Sequence, residues 1–378
     1  MIETLETPAA LRAFLQGRYG RPAADGMIPR ERVEMALHHQ QPDRVPFDFW
    51  GVPEVYALLR DRLGVESDEE VLRLLGIDCR MVAPDYVGPA PRVQPDNTYY
   101  DAWGTHRRSI SNDFSTYDEY ASHPLSAAQS IADVETWDGW ARTENWDVGS
   151  LQTKIRALQY ETQYHIRYEV GGIFEWSWAL RGMEQFLMDL VLQPEIPCAI
   201  MDCFTDIYIA NVTRVLQAAD GLIDMVYTYD DVGIQRGLLL SERMWRRFIL
   251  PRHQRLNQAI RRFPTRIMFH SCGAVYPLIS SFADDMGIDV LNPLQPRAAG
   301  MDLERIKEQF GERLSFHGAV DIQHTLPHGT PEEVEAEVLH RCRLLGRDGG
   351  YICAPAHYLQ ADTPLRNIIA LYTTRREI

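Results

Sequence analysis

No stretch of the 378 residues approaches the ~18 consecutive apolar residues that a membrane-spanning helix needs. The first residues, Met1-Ile2-Glu3-Thr4-Leu5-Glu6, carry acids where a secretion signal would have a basic start and an apolar run. A soluble, cytoplasmic protein is expected. Positive charge is scarce too. The 38 Lys and Arg are outnumbered by 53 Asp and Glu, for a formal charge of −15, so a face for phosphate backbones is missing and nucleic acid is not an expected partner. A protein partner with a complementary basic face remains compatible with that charge. Lysine occurs only as Lys154 and Lys307, an arginine-rich usage that carries no functional weight. Six cysteines are too few for a disulfide scaffold in a chain of this length. Cys79, Cys198, Cys203 and Cys342 sit in apolar or helical surroundings and read as small buried hydrophobes, which sets Cys272 and Cys353 apart. Glycine-rich phosphate loops are absent as well: Gly171-Gly172 and Gly349-Gly350 are single pairs of the kind found in tight turns.

What is present is a regular alternation. A composition with 45% hydrophobic residues can bury a large core, and a chain of this length suits either two ordinary domains or one large barrel. Residues 1–26 are polar and end in a loop-like Arg21-Pro22-Ala23-Ala24-Asp25-Gly26, which predicts an N-terminal helical extension packed on the body of the protein. A helix opens at Met27-Ile28-Pro29-Arg30-Glu31 and runs through Ala36. Short β-rich runs, most followed by helical periodicity, are expected at Val45–Phe49, Arg80–Ala83, Tyr164–Val170, Ile223–Tyr229, Arg266–Phe269, Asp289–Asn292, Leu314–His317 and Gly350–Cys353. Eight such units predict a single (β/α)8 TIM barrel over 27–378, because strands alternating with helices form parallel sheets. Residues 88–150 hold Trp103, Trp137, Trp140 and Trp146 among several prolines. They read as irregular long loops over the barrel mouth. No repeat, low-complexity tract or flexible linker marks a second domain.

In barrels the working residues stand where each strand turns polar at its C-terminal end. Those positions hold Asp48 and Trp50; Asp85 and Tyr86; Glu169; Tyr229, Asp230 and Asp231; His270 and Cys272; Asn292 and Gln295; His317 and Asp321; and Cys353 and His357. Met268-Phe269-His270-Ser271-Cys272-Gly273 is the sharpest signal, since His and Cys two apart at a strand exit point the same way and can face one ion. A third donor is required, and Tyr351-Ile352-Cys353-Ala354-Pro355 offers a cysteine two strands further round. A helix-capping His and two buried thiols are the structural alternative.

Taken together, Pro42-Asp43-Arg44-Val45-Pro46, Tyr229-Asp230-Asp231-Val232-Gly233, Met244-Trp245-Arg246-Arg247-Phe248-Ile249, His270-Ser271-Cys272-Gly273, Leu291-Asn292-Pro293, His317-Gly318 and Tyr351-Ile352-Cys353 resemble the uroporphyrinogen decarboxylase superfamily. The closest motifs are those of its zinc-dependent branch, which moves methyl groups between corrinoid proteins and thiols or other acceptors. The resemblance runs from about Pro29 to the C-terminus and implies zinc held by His270, Cys272 and Cys353, with a corrinoid brought by a partner protein. The decarboxylase branch carries paired arginines after the first strand. Here Gly51-Val52-Pro53-Glu54-Val55-Tyr56 follows instead, with no arginine before Arg60, which argues against porphyrinogen decarboxylation.

The expectation is therefore a zinc-dependent methyltransferase acting on a small methylated substrate or thiol. Asp230, Asp231 and Glu169 are the catalytic candidates. Trp50, Asp85, Tyr86, Trp176, Tyr229, Asn292, Gln295, His317 and His357 would line the substrate site or support the metal. A metal-free carboxy-lyase is the alternative. A non-catalytic metal- or corrinoid-binding accessory protein is a second, although the D-x-H-x-x-G signature of corrinoid carriers is missing. A homodimer is common for barrels of this size.

Overall fold

A computed structural model describes residues 7–19, 26–112 and 116–374. Its centre is a parallel sheet whose seven strands lie side by side in chain order: β1 (Cys79–Val82), β2 (His165–Gly172), β3 (Met225–Tyr229), β4 (Arg266–His270), β5 (Val290–Leu294), β6 (Ser315–Val320) and β7 (Tyr351–Pro355). Seven of the eight expected runs appear as these strands, displaced by at most a few residues. Helices between successive strands cover one face, as parallel connections require.

The eighth run departs from expectation for a chemical reason. Val45–Phe49 forms no ladder; Phe47 makes an isolated parallel bridge to Cys353, and Gly51 another to Leu359. Pro46 has no N–H to give a ladder, and the N–H of Phe47 goes instead to the Asp78 carboxylate at 2.8 Å. The segment is still held on both sides. Cys353 N–H donates to Pro46 O at 2.9 Å, Asp48 N–H to Cys353 O at 3.0 Å, and Asp78 N–H to Phe47 O at 2.9 Å. Asp78 also takes Arg32 at 2.7 Å and Arg44 at 2.8 Å, so the Asp43-Arg44-Val45-Pro46 turn is tied beneath the start of β1.

The strands are buried on both faces, and two separate clusters reveal which residues point which way. Cys79, Met225, Tyr227, Met268, Val290 and Ile352 pack with Trp50 inside the curl of the sheet. Val33 and Leu37 of the helix Pro29–Leu37 join them, so this helix plugs one end. Ile166, Val226, Ile267, Phe269, Leu291, Phe316 and Cys353 belong to the larger outer layer under the helices. Strand alternation then directs His270, in step with Met268, to the inside, and Cys353, one residue after Ile352, to the outside.

The excursion at 88–150 is more ordered than expected. It contains a four-stranded antiparallel meander of Arg92–Val93, Thr98–Tyr100, His106–Ser111 and Thr116–Ser122. Its strands carry Tyr, Arg, Asp and Glu on largely exposed faces, so the apolar alternation that betrays a strand is missing. Before it all, the helix Pro8–Tyr19 packs Leu11 and Leu15 against the rest of the protein.

Candidate metal centre and its surroundings

Strand β4 ends at His270 and the chain turns at once. Ser271 N–H donates to Asn292 O at 2.9 Å, Cys272 N–H to Asp231 Oδ1 at 2.7 Å, and Gly273 N–H to Gln295 Oε1 at 2.7 Å. Gly273 has φ +85°, and a Cβ there would lie 2.6 Å from the backbone of Gly233, so only glycine permits this turn. The result puts Cys272 Sγ 3.4 Å from His270 Nε2. The third donor comes from just beyond β7: the ligand-bearing atoms of His270, Cys272 and His357 all lie within 4.8 Å of one another. Two imidazoles and a thiol at this spacing suit a tetrahedral ion with N bonds of about 2.0–2.1 Å and an S bond of about 2.3 Å, given a small contraction.

Cys353 does not take part in this cluster, contrary to the expectation from sequence. It is fully buried in the outer layer, on the face of β7 that carries Tyr351, while His357 occupies the place assigned to it. His357 was expected only as a substrate-side residue. Burial pushes its pKa down to about 4, with the neighbouring His270 charge adding to the effect, so the ring is neutral and ready to donate a lone pair.

Asp230 and Asp231 point to opposite fates. Asp230 is completely buried and spends both oxygens on structure. It accepts the N–H groups of Ile173 at 3.2 Å, Phe174 at 2.9 Å and Glu175 at 2.9 Å, and the His253 ring at 2.6 Å. It thus caps the helix Ile173–Arg181 from another element, which removes it from the catalytic candidates. Gly172 makes this approach feasible, since a Cβ there would sit 2.9 Å from Asp230 Oδ1. His253 is delivered by the helix Leu250–Ile260, where Pro251 lacks an N–H and the wide turn Trp245–Ile249 precedes it. Asp231 keeps 42% of its side chain exposed and places Oδ1 3.5 Å from His270 Nε2. Burial would raise its pKa, but His270 and the Cys272 N–H outweigh this and hold it down as a carboxylate. Burial alone would lower the His270 pKa; Asp231 and Cys272 reverse that and raise it.

Behind His270 runs a buried polar chain. His270 Nδ1 meets Asn292 Oδ1 at 2.5 Å, Asn292 Nδ2 meets His317 Nδ1 at 2.6 Å, and His317 Nε2 meets Asp48 Oδ2 at 3.0 Å. Asp48 also accepts Trp50 Nε1 at 2.8 Å and is ion-paired with Arg167. Around the donors stand aromatic rings: Trp50 lies parallel to His270 at 6.2 Å, Tyr227 meets it edge-on at 6.0 Å, and Tyr358 packs on His357 at 5.4 Å. Trp176 Nε1 donates to Tyr229 OH at 2.9 Å. From Trp176 a run of ring contacts leads through Trp103 and Trp146 to Tyr86. Tyr86 and Asp85 are exposed, and Asp85 pairs with Lys154 at 2.6 Å rather than with the donors. Gln295 supports the Cys272 turn. Glu169 is half-buried, its side chain has no hydrogen-bond partner among the described residues, and burial raises its pKa.

Glu175 is a functional candidate the sequence did not disclose, because a glutamate in a helix's first turn reads as an ordinary helix-end acid. It accepts the Asp231 N–H at 2.7 Å. Burial, then the charges of Asp231 and Asp230, push its pKa up to about 8, so it carries a proton at neutral pH. A glutamate whose folded-state pKa lies above its ordinary 4.5 takes up a proton on folding. The stability of the metal-free protein should therefore decline through this group as pH rises from about 4.5 to about 8. Glu175→Gln is expected to flatten that decline, read from denaturation midpoints at about pH 5 and about pH 8; an unchanged slope would rule the assignment out.

Fold and site together define an α/β protein with a parallel sheet of barrel type and, beyond the C-terminal ends of β4 and β7, a donor cluster of two imidazole nitrogens and one thiol sulfur. The chain belongs to the uroporphyrinogen decarboxylase (URO-D) family, whose profile matches residues 130–378. It is also similar to a methylated-thiol–coenzyme M methyltransferase of Methanosarcina mazei, at 27% identity over 198 residues. That alignment covers 52% of this chain and 49% of the relative, so the chain spans about half the length of the relative it matches. A solved methyltransferase from Methanosarcina mazei shares the fold, with a TM-score of 0.65 and 19% identity over 91% of this chain and 97% of that one. No helix of the described residues is long and apolar enough to cross a membrane.

Proposed function

We propose that this chain is a zinc-dependent methyltransferase in which His270, Cys272 and His357 hold the metal. The methyl group would pass between a small methylated compound or thiol and a corrinoid carried on a separate protein. One observation carries the reading: three soft or borderline donors converge at the strand ends where barrel enzymes keep their chemistry. Bound there, zinc would supply an open coordination position that lowers the pKa of an incoming thiol and keeps it as a thiolate nucleophile at neutral pH.

The remaining work falls to the chain's own groups. Asp231 fixes the Cys272 turn and sets a carboxylate beside the donors; with one thiolate fewer than the resemblance implied, this negative charge offsets the cation. Trp50, Tyr227, Tyr229, Trp176 and Tyr358 wall an apolar methyl-bearing substrate and keep water away. Glu169 and protonated Glu175 stand ready to accept or give a proton. Bridged to Cys353 and Leu359, the segment at Phe47–Gly51 would take the place of the eighth strand in a closed barrel, with the helix Pro8–Tyr19 packed on it.

A metal-free carboxy-lyase is less well supported. The charged groups facing the donors are carboxyls, and the interior Arg167 is already paired with Asp48, a poor match to a substrate rich in carboxylates. The test is to load the protein with zinc and mix it with methylcobalamin and a panel of small thiols. Loss of the methyl–cobalt absorbance that requires both thiol and metal, and that a chelator abolishes, is the expected result. A zinc-loaded protein that is inert towards every thiol in that assay, and that also forms no methylcobalamin when cob(I)alamin is offered with methylated amines, ethers or thioethers, would refute the proposal.

A further inference from the structure

Asp48 lies on the segment beside β7, far in sequence from the donor cluster, yet an unbroken line of hydrogen bonds joins the two. Only one arrangement of protons satisfies every member of that line. Asp48 is buried, and although burial favours its neutral form, Arg167 and the His317 hydrogen bond hold its pKa well below the usual carboxylate range. It is a carboxylate and can only accept. His317 is kept neutral by burial and so has a single ring proton. Since Nε2 faces Asp48 at 3.0 Å, the proton sits on Nε2 and Nδ1 must accept. The Asn292 amide therefore turns its Nδ2 towards His317, at 2.6 Å, and its Oδ1 towards His270, at 2.5 Å. An amide oxygen cannot donate, so His270 must hold a proton on Nδ1. In the neutral ring that leaves Nε2, the nitrogen next to Cys272 Sγ, as the one with a lone pair to offer.

We propose that Asp48, acting through His317 and Asn292, sets the tautomer of His270 and so dictates that Nε2 meets the metal. The proposal rests on the metal-binding reading above. Asp48, His317 and Asn292 are positioning residues, since none of them needs to touch metal or substrate. Reversing any link would set two donors or two acceptors face to face in a dry interior, where an unmatched polar group is costly. Trp50 is drawn into the same scheme, because its Nε1–H is fixed by Asp48 while its ring lies parallel to His270.

The test uses full-length protein labelled with 15N at the histidine rings, together with zinc affinity measured by competition with a chromophoric chelator. In metal-free wild type, at a pH where the His270 ring is neutral, its proton is expected on Nδ1, and that of His317 on Nε2. His317→Phe keeps the ring volume and removes both nitrogens. It is expected to give His270 a mixed tautomer and to weaken zinc binding about 10–100-fold, the usual range for lost outer-shell partners. His317→Asn, which returns an acceptor near the Nδ1 position, should recover most of that affinity. A wild-type His270 with its proton on Nε2 would overturn the proposal, as would a folded His317→Phe with unchanged tautomer and zinc affinity. The wild-type spectrum decides the matter if the variants fail to fold. It also separates the two readings: a protein that binds no zinc yet shows the Nδ1 proton disproves the metal site and keeps the relay.

Discussion

Replacing His357 with alanine should take away the protein's capacity to retain zinc, and replacing Cys353 with serine should leave that capacity in place. The first variant deletes one of three donors that lie within 4.8 Å of each other. Its affinity loss should exceed the roughly 10–100-fold that outer-shell changes cause, because a direct bond to the ion is lost. Cys272→Ser should behave in the same way, since a hydroxyl is a far weaker donor than a thiolate. Cys353 lies in the outer layer, fully buried, and its serine variant introduces a hydroxyl among apolar neighbours. That change should appear as a lower melting temperature with the metal content intact. Elemental analysis after zinc loading and desalting checks all three. Metal lost in Cys353→Ser and kept in His357→Ala would reverse the assignment of the third donor.

Adjacent aspartates should give opposite results in a stability experiment. Asp230→Ala would strand three backbone N–H groups at the start of the helix Ile173–Arg181 and the His253 ring, all of them inside the protein. Buried donors left without acceptors cost about 1–3 kcal/mol each, so even with partial relaxation the loss should reach about 4 kcal/mol, a large part of a typical domain's stability. Asp231→Ala removes a half-exposed carboxylate and should change stability by less than about 1 kcal/mol while weakening the metal, because the Cys272 turn loses its acceptor. Urea denaturation of the metal-free variants separates them. An Asp230→Ala protein as stable as wild type would contradict the capping role.

Much of this was legible in the chain itself. The strand runs were readable because each is a short stretch that ends in polar residues and is followed by a helix; His270 and Cys272 were the sharpest local signal, and the family resemblance, more than their spacing, pointed to a metal. The face of β7 was not readable. A strand buried on both sides has no apolar–polar alternation, so nothing in Tyr351-Ile352-Cys353 says that Ile352 looks inward and Cys353 outward. His357 lies past the strand end, in a turn whose direction depends on the bridge between Leu359 and Gly51. The same ambiguity merged Asp230 with Asp231: one residue's difference turns a carboxylate from the Cys272 turn to the base of a helix. Arg167 escaped notice because an arginine alternating with His165 and Glu169 reads as part of a polar strand face and gives no hint of the buried Asp48 that neutralises it.

The pairing of Phe47 with Cys353 has a further consequence, for the order in which the protein can be made. The segment that carries Asp48 emerges from the ribosome about three hundred residues before its neighbour in space and the histidine just past it. Until then the early segment has one open edge. The donor set is complete only once the segment carrying His357 has joined the earlier strands, so a nascent chain that has not reached it cannot hold the ion in its final geometry. Metal capture belongs to the finished molecule, and contacts this distant in sequence make that final closure the slow, entropy-limited part of assembly.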